Sequence, residues 1–278
     1  MKNKLILIEG LPSSGKTTTT KMTHKVLNNL DINNKVFYEG DLDHPADYDG
    51  VSFFSEVEFY DLLSKYKKER KLIEKIAIKR QEGYYIEYKK RIKSYNDKFS
   101  DDLINSFLKH DVYELTLDRH IDILLKSWER FRYNALNEEN VYIFDCAFIQ
   151  NPVTVTMIRD NAEKKVITEY IKELENIIKP LNPILIYLDQ DDIRYSFKKV
   201  IKERPNKWLE FFIDYTLNQG YGKDNNLKGL DGIFKVLEER KKLEHELFDV
   251  LDIEKIIINN SEFNLKCEEI RSIIKKYI

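Results

Sequence analysis

The sequence predicts an α/β fold, a five-stranded parallel sheet flanked by helices with a long helical insertion between the second and third strands. Two observations carry that reading. Five short β-branched or apolar runs, at residues 5–8, 35–38, 141–144, 184–188 and 255–258, are each followed by turn residues or a polar loop. Continuous apolar runs of this length suit strands buried on both faces of a sheet. The stretches between them carry helical spacing, and strands alternating with helices make a doubly wound architecture. At 278 residues, the chain is long enough to bury a full core as one domain, 1–278, with room for an insertion at 51–140.

Composition narrows the class. Hydrophobic residues make up 42% and charged residues 34%, a globular rather than disordered balance. A formal net charge of −2 supplies no overall basic field, which argues against nucleic acid or an anionic membrane as partner. No apolar stretch approaches the length that spans a bilayer. The first apolar run stops at Glu9, too short for a signal peptide, so it reads as a strand. Cys146 and Cys267 lack metal-ligand spacing and are too few for a disulfide framework, so the expected setting is a reducing cytoplasm.

The first strand runs into Gly10-Leu11-Pro12-Ser13-Ser14-Gly15-Lys16-Thr17, followed by Thr18 and a helical stretch at 16–30. Every defined position of the phosphate-loop pattern G-x-x-x-x-G-K-[ST] is met. From average residue frequencies, a chance match in such a chain is on the order of 1%. Gly10 and Gly15 let the backbone wrap phosphates with its N–H groups pointing inward, and the next helix adds its positive end. Pro12, Ser13, Ser14 and Thr18 complete the cradle. Lys16 is expected on the β- and γ-phosphates and the Thr17 hydroxyl on Mg²⁺. The cofactors implied are ATP or GTP with Mg²⁺, since no base-reading motif is evident.

The second strand ends in an acidic loop, 38–50, in which Glu39, Asp41, Asp43, Asp47 and Asp49 crowd round His44. Ligands of open α/β sheets bind beyond the carboxyl ends of the strands, which places this loop at the reacting end. The plain alternative is a solvated turn. Clustered carboxylates suit a hydroxylated or cationic partner better than a phosphorylated one. The insertion after it is rich in Lys, Glu and Tyr, and its stretch 67–98 reads as a projecting helical pair. Tyr84, Tyr85 and Tyr88 read as ordinary half-buried aromatics. Leu117, Ile121, Leu124, Trp128, Phe131 and Ala135 mark one apolar helix face.

A phosphate-loop protein usually carries an acid at the end of a neighbouring buried strand, to serve the metal. Asp145 and Asp189 both end such strands, and Asp145 is favoured because the third strand most often lies beside the first. Capping of the next helix is the alternative for either. After the fourth strand, Arg194, Lys198, Lys199, Lys202 and Arg204 fall on one helix running to Pro205, and 218–226 reads as a flexible loop. Ile270, Ile273, Ile274 and Tyr277 give the last helix its apolar face.

Ile8-Glu9-Gly10 leading into Ser14-Gly15-Lys16-Thr17-Thr18 resembles the start of thymidylate kinases and deoxynucleoside kinases of the P-loop kinase superfamily. Asp118-Arg119, Phe144-Asp145-Cys146 and Tyr187-Leu188-Asp189 follow in the order of that family's elements. The resemblance implies a P-loop NTPase fold and transfer of a γ-phosphate to a hydroxyl of a small molecule. It implies Glu39, with Asp41 next, as the group accepting the hydroxyl's proton. It implies a lid over 190–228 whose Arg194 and Arg204 steady the transferring phosphoryl group. Arg119, Asp145, Glu39 and Asp43 are the expected acceptor contacts, with pairing to Asp118 or Asp122 the alternative for Arg119. Relatives are often dimers through helices flanking the third strand, so the 117–135 face is open to being an interface.

Cys146 stands where the monophosphate kinases carry arginine, which turns the expected acceptor towards an uncharged or amine-bearing molecule, nucleoside-like or a hydroxylated metabolite or antibiotic. A regulatory ATPase acting on a protein partner is the alternative, but it would want an Asp-Glu pair ending the third strand. A kinase of nucleic-acid ends would want a basic groove.

Overall fold

The computed structural model describes residues 3–95 and 99–277. The chain divides into two compact units, Met1–Glu39 with Ser127–Ile278, and Gly40–Lys126. The first unit begins with β1 (Leu5–Gly10), buried along its whole length, and α1 (Lys16–Asn28). α1 starts directly after Gly15, whose left-handed backbone at φ 95° turns the chain from strand into helix. Its inner face is Thr19, Thr20, Thr23, Val26 and Leu27. β2 (Asn34–Phe37) follows.

The second unit holds β3 (Ser52–Phe54), α2 (Glu56–Lys65), α3 (Arg70–Ile76), β4 (Ile78–Lys79), β5 (Tyr84–Ile86), α4 (Tyr88–Tyr95) and α5 (Asp101–Lys109). Ser55 opens α2 with a reciprocal cap, its hydroxyl on the Glu58 amide and the Glu58 carboxylate on its own. A core of aromatic and aliphatic side chains, including Phe54, Phe59, Leu62, Ile73, Leu103 and Phe107, ties these helices to the strands. The sequence led us to expect a helical insertion and a helical pair over 67–98. Instead β3, β5 and β4 pair antiparallel in a small sheet, and the polar stretch contains two of its strands. Strands of two or three residues are too short to show a period-2 pattern. Lys98 lies outside the described residues. Tyr84, Tyr85 and Tyr88 are buried rather than half-buried.

α6 (Leu117–Leu136) leads back into the first unit. There follow β6 (Val141–Asp145), α7 (Gln150–Val153) with a π-helical continuation over Thr154–Arg159, α8 (Lys164–Ile178) and β7 (Ile184–Asp189). The chain ends with α9 (Ile193–Glu203), α10 (Asn206–Leu217), α11 (Gly220–Asp224), α12 (Gly229–Val250), β8 (Glu254–Asn259) and α13 (Cys267–Tyr277). The stretch 218–226, expected to be a flexible loop, contains α11, because Gly220 and Gly222 pack too closely on backbone at Ile158 and Thr216 to leave room for a Cβ.

All five strands of the main sheet run parallel in the order β2-β6-β1-β7-β8. Apolar side chains of β1, β6 and β7 pack on Val26 and Leu27 of α1 and on Ile270 and Ile274 of α13. On the expected apolar face of α6, Leu124, Trp128, Phe131 and Ala135 are buried, while Leu117 and Ile121 are half-buried. Lys4 Nζ caps the end of α6, donating to the carbonyls of Ala135 (3.1 Å), Leu136 (3.2 Å) and Glu138 (2.6 Å). Among the described residues, no helix is long and apolar enough to cross a membrane.

Trp128 is 1% exposed and meets Phe144 and Phe148 edge-on at 5.7 and 6.2 Å. Trp128→Ala should cost about 3–5 kcal/mol, seen as a lower urea midpoint with an unchanged slope.

Candidate functional site

Two left-handed residues, Ser13 at φ 78° and Gly15, shape the loop between β1 and α1. Gly10, at φ 140°, lies so close to β7 that a Cβ would stand 2.5 Å from the Leu188 carbonyl oxygen. The loop is held from outside by two amides. Gln190 Nε2 donates to the Ser13 carbonyl (3.3 Å) and Asn260 Nδ2 to that of Ser14 (2.8 Å). Lys16 is 6% exposed and its Nζ donates to the Leu11 carbonyl at 2.7 Å. The Ser13 and Ser14 hydroxyls are buried with no hydrogen-bond partner among the described residues. Orphaned donors, a buried ammonium and the free amides of a helix's first turn form a donor set matched to an anion.

Beside this loop, β6 brings Asp145 opposite Ile8 in the parallel register, and the Thr17 hydroxyl donates to Asp145 Oδ2 at 2.9 Å. Burial pushes the Asp145 carboxyl up, against the opposing pull of the Cys146 hydrogen bond, the Lys16 charge and the Thr17 hydroxyl. Cys146 has a left-handed backbone (φ 72°) and is fully buried. Its Sγ lies 2.9 Å from Asp145 Oδ1 and 3.6 Å from Glu39 Oε2. Burial first, then the Glu39, Asp145 and Glu9 carboxylates, keep the thiol protonated despite Lys16. The second oxygen of Glu39 accepts from Gln150 Nε2 at 3.0 Å. A hydroxyl and a carboxylate are the hard oxygen donors that Mg²⁺ takes, leaving its other positions to phosphate and water, so the pair Thr17 and Asp145 fits that ion.

A cavity of about 560 Å³ within the first unit opens onto the loop at Pro12, Ser13, Gly15, Lys16, Thr17 and Thr18. Glu39, Gln150 and Thr154 form one wall. α9 contributes Lys199 and Glu203 with Arg204 just beyond its end, and α10 presents Trp208, Phe211, Phe212 and Tyr215. One end is therefore an anion cradle and the other an aromatic face.

The remaining expected residues scatter. Arg204 lines the cavity, its guanidinium 5.9 Å from the Trp208 ring. Arg194, expected beside it, does not. It is spent on Glu238 (3.3 Å) and Asp231 (3.6 Å) and lies over the Phe234 ring. Asp189, the other metal candidate, accepts from Lys241 (2.8 Å) and His245 (3.2 Å). Asp41, Asp43 and Arg119 belong to the second unit and are not among the lining residues. Asp41 Oδ1 accepts from the Asp43 amide, and Asp43 pairs with Lys90. Arg119 forms a two-pronged ion pair with Glu58, whose carboxyl it holds down at about 2.

Three residues were missed from sequence. Glu9 is fully buried and accepts the amides of Phe148 (2.7 Å) and Gln150 (2.8 Å), fixing the start of α7. Arg240, 4% exposed, bonds Glu244, the Thr154 hydroxyl and the Gln150 carbonyl. One signal was there to read: Arg240 and Glu244 continue the stripe Ile233, Val236, Leu237 that resumes at Leu247, where an apolar residue is expected. For Gln150 there was no signal.

No family model matches the chain, and no curated protein matches it. Solved structures do match. Among them is a protein of Chloroflexus aurantiacus J-10-fl, provisionally described as a kinase, at 11% identity and a TM-score of 0.39 over the whole of both chains. At that distance the likeness carries no argument, and the functional reading rests on the site itself.

Burial pushes the Glu9 carboxyl up to about 7 from 4.5, against its backbone hydrogen bonds and helped by the Glu244 charge. The folded chain keeps a proton there that the unfolded chain releases. This stability is fully present below pH 4.5 and is lost as pH rises through 7. Urea unfolding of wild type should therefore weaken across that window by up to ~3 kcal/mol more than unfolding of Glu9→Gln.

Proposed function

We propose that the chain is a kinase, transferring the γ-phosphate of ATP or GTP to a hydroxyl of a small molecule. The observation that carries this reading is one cavity containing an anion-cradling loop and the carboxylate of Glu39. The loop amides, Lys16 and the Ser13 and Ser14 hydroxyls hold the triphosphate, with Thr17 and Asp145 as the residues that hold Mg²⁺. Mg²⁺ supplies charge neutralisation on the phosphate oxygens. The resulting P-loop kinase assignment, with its likeness to thymidylate kinases, is part of the proposal.

The chemistry the residues support is an in-line displacement. The acceptor oxygen forms a bond to the γ-phosphorus while the bond from that phosphorus to the β,γ-bridging oxygen breaks, leaving a nucleoside diphosphate. The hydroxyl proton passes to Glu39. Phosphoryl transfer needs mainly positioning and charge stabilisation, so a carboxylate that orients the hydroxyl and takes its proton late suffices. Arg204 is the lid arginine that remains available to steady the transferring group. Arg194, tied to α12, is not assigned that role.

The acceptor is read as uncharged or amine-bearing. Glu39 and Glu203 are among the residues that line the cavity, Cys146 is neutral, and the buried Arg240 is committed to Glu244. Trp208, Phe211, Phe212 and Tyr215 give the cavity an aromatic lining suited to an apolar or nucleoside-like body.

The test is Mg²⁺-dependent ATP consumption with nucleosides, nucleoside monophosphates and aminoglycoside-type amines as acceptors. One acceptor class should raise turnover well above background, Lys16→Ala should abolish it, and Glu39→Gln should lower kcat by ~10²–10⁴-fold. Hydrolysis at one rate whatever is added would overturn the kinase reading in favour of a regulatory ATPase.

A further inference from the structure

Gln150 stands between the candidate base and a buried charged pair, and every polar atom it carries except one is committed. Its amide N–H donates to Glu9 Oε2, its carbonyl accepts from Arg240 Nη2 at 2.7 Å, and its Nε2 donates to Glu39 Oε1. A primary amide facing a carboxylate has to present its N–H group, so Oε1 is turned away, and it is buried with no partner among the described residues. An unpaired buried acceptor costs about 1–3 kcal/mol. The side chain, 6% exposed, is thus held in a pose that its own hydrogen bonding does not favour.

Arg240 shows the same bias. With both side chains at 4% exposure or less, its ion pair with Glu244 spends most of its Coulomb energy on desolvation, and an apolar pair would serve stability as well. What an apolar pair would not provide is the guanidinium fork, which grips the Gln150 carbonyl and the Thr154 hydroxyl (2.9 Å) together. These two residues lie one helical turn apart, and both line the cavity.

We propose that Arg240 and Gln150 are positioning residues for phosphoryl transfer. Arg240 fixes the first turn of α7, and the Gln150 amide fixes the Glu39 carboxylate in the cavity wall. The inference rests on the reading of Glu39 as the group that takes the acceptor's proton. A carboxylate on an unheld side chain samples several rotamers, and misplacement by about 1 Å costs ~10²-fold in rate.

The experiment is a double-mutant cycle on the full chain. MgATP turnover is measured in a mixture of thymidine, adenosine, choline and kanamycin, with MgATP affinity and the thermal midpoint followed alongside. Gln150→Leu keeps the volume and removes the donor. It should lower kcat by ~10–10²-fold with MgATP affinity unchanged, yet have little further effect in a Glu39→Gln background. Arg240→Lys, which keeps the charge but loses the fork, should fall in the same direction. Additive losses from Gln150→Leu and Glu39→Gln would make Gln150 structural and overturn the proposal, as would an unchanged kcat in Gln150→Leu alone. Neither result touches the kinase reading. Wild-type turnover no higher than that of Lys16→Ala would overturn that reading and the positioning roles with it.

Discussion

The parallel pairing of β1 with β6 is the constraint on which the site depends. With Ile8 opposite Asp145, the acid at the end of one strand stands within hydrogen-bond reach of the first turn of the helix that follows the other. A slip of one residue would send the Asp145 side chain to the opposite face of the sheet. Every residue of both strands is buried, and Leu5, Ile6, Leu7, Val141, Ile143 and Phe144 lie in the core together. β7 on the other flank adds a second limit, since its Leu188 carbonyl approaches Gly10 too closely for any side chain. The loop is thus seated between two neighbours before any ligand is considered.

The parts of the fold that were legible in the sequence are those set by local chemistry. Five apolar runs gave the five strands. β1 and β6 are buried along their length and β7 in all but its last residue, and a strand covered on both faces has no polar face to interrupt the run. β2 and β8, at the edges, are only partly buried. The loop was legible because its backbone needs two glycines at fixed spacing. Asp145 beside Thr17 followed from strand adjacency. The small sheet was not legible, since Ser52–Phe54, Ile78–Lys79 and Tyr84–Ile86 are each shorter than one readable period. Nor was the engagement of Arg194, whose partner Glu238 sits far along the chain on α12, or that of Arg119 with Glu58. A basic residue on a helix does not announce which carboxylate has claimed it.

The loop is also supported by groups that no motif describes. Gln190 and Asn260 donate to the carbonyls of Ser13 and Ser14. Both follow the carboxyl ends of their strands, β7 and β8, so the sheet delivers them as it delivers Asp145. Backbone N–H groups cost no side-chain entropy when they engage a ligand, and a loop already braced in its turn loses little more.

The uncharged Cys146 follows the end of β6 and lies between two carboxylates. At that position an arginine would bring a permanent positive charge between two carboxylates. The thiol brings none, because burial first, and then the carboxylates around it, keep its proton in place. It still serves as a weak donor within reach of both Asp145 and Glu39, separating them without neutralising either. The negative charge of Glu39 is then left to act on whatever enters the cavity. On the proposed kinase reading, a hydroxyl donates to that charge and an amine pairs with it, while Lys16, Lys199 and Arg204 of the same cavity are the groups that would meet phosphate. The proposed preference for acceptors without phosphate rests on this neutral side chain.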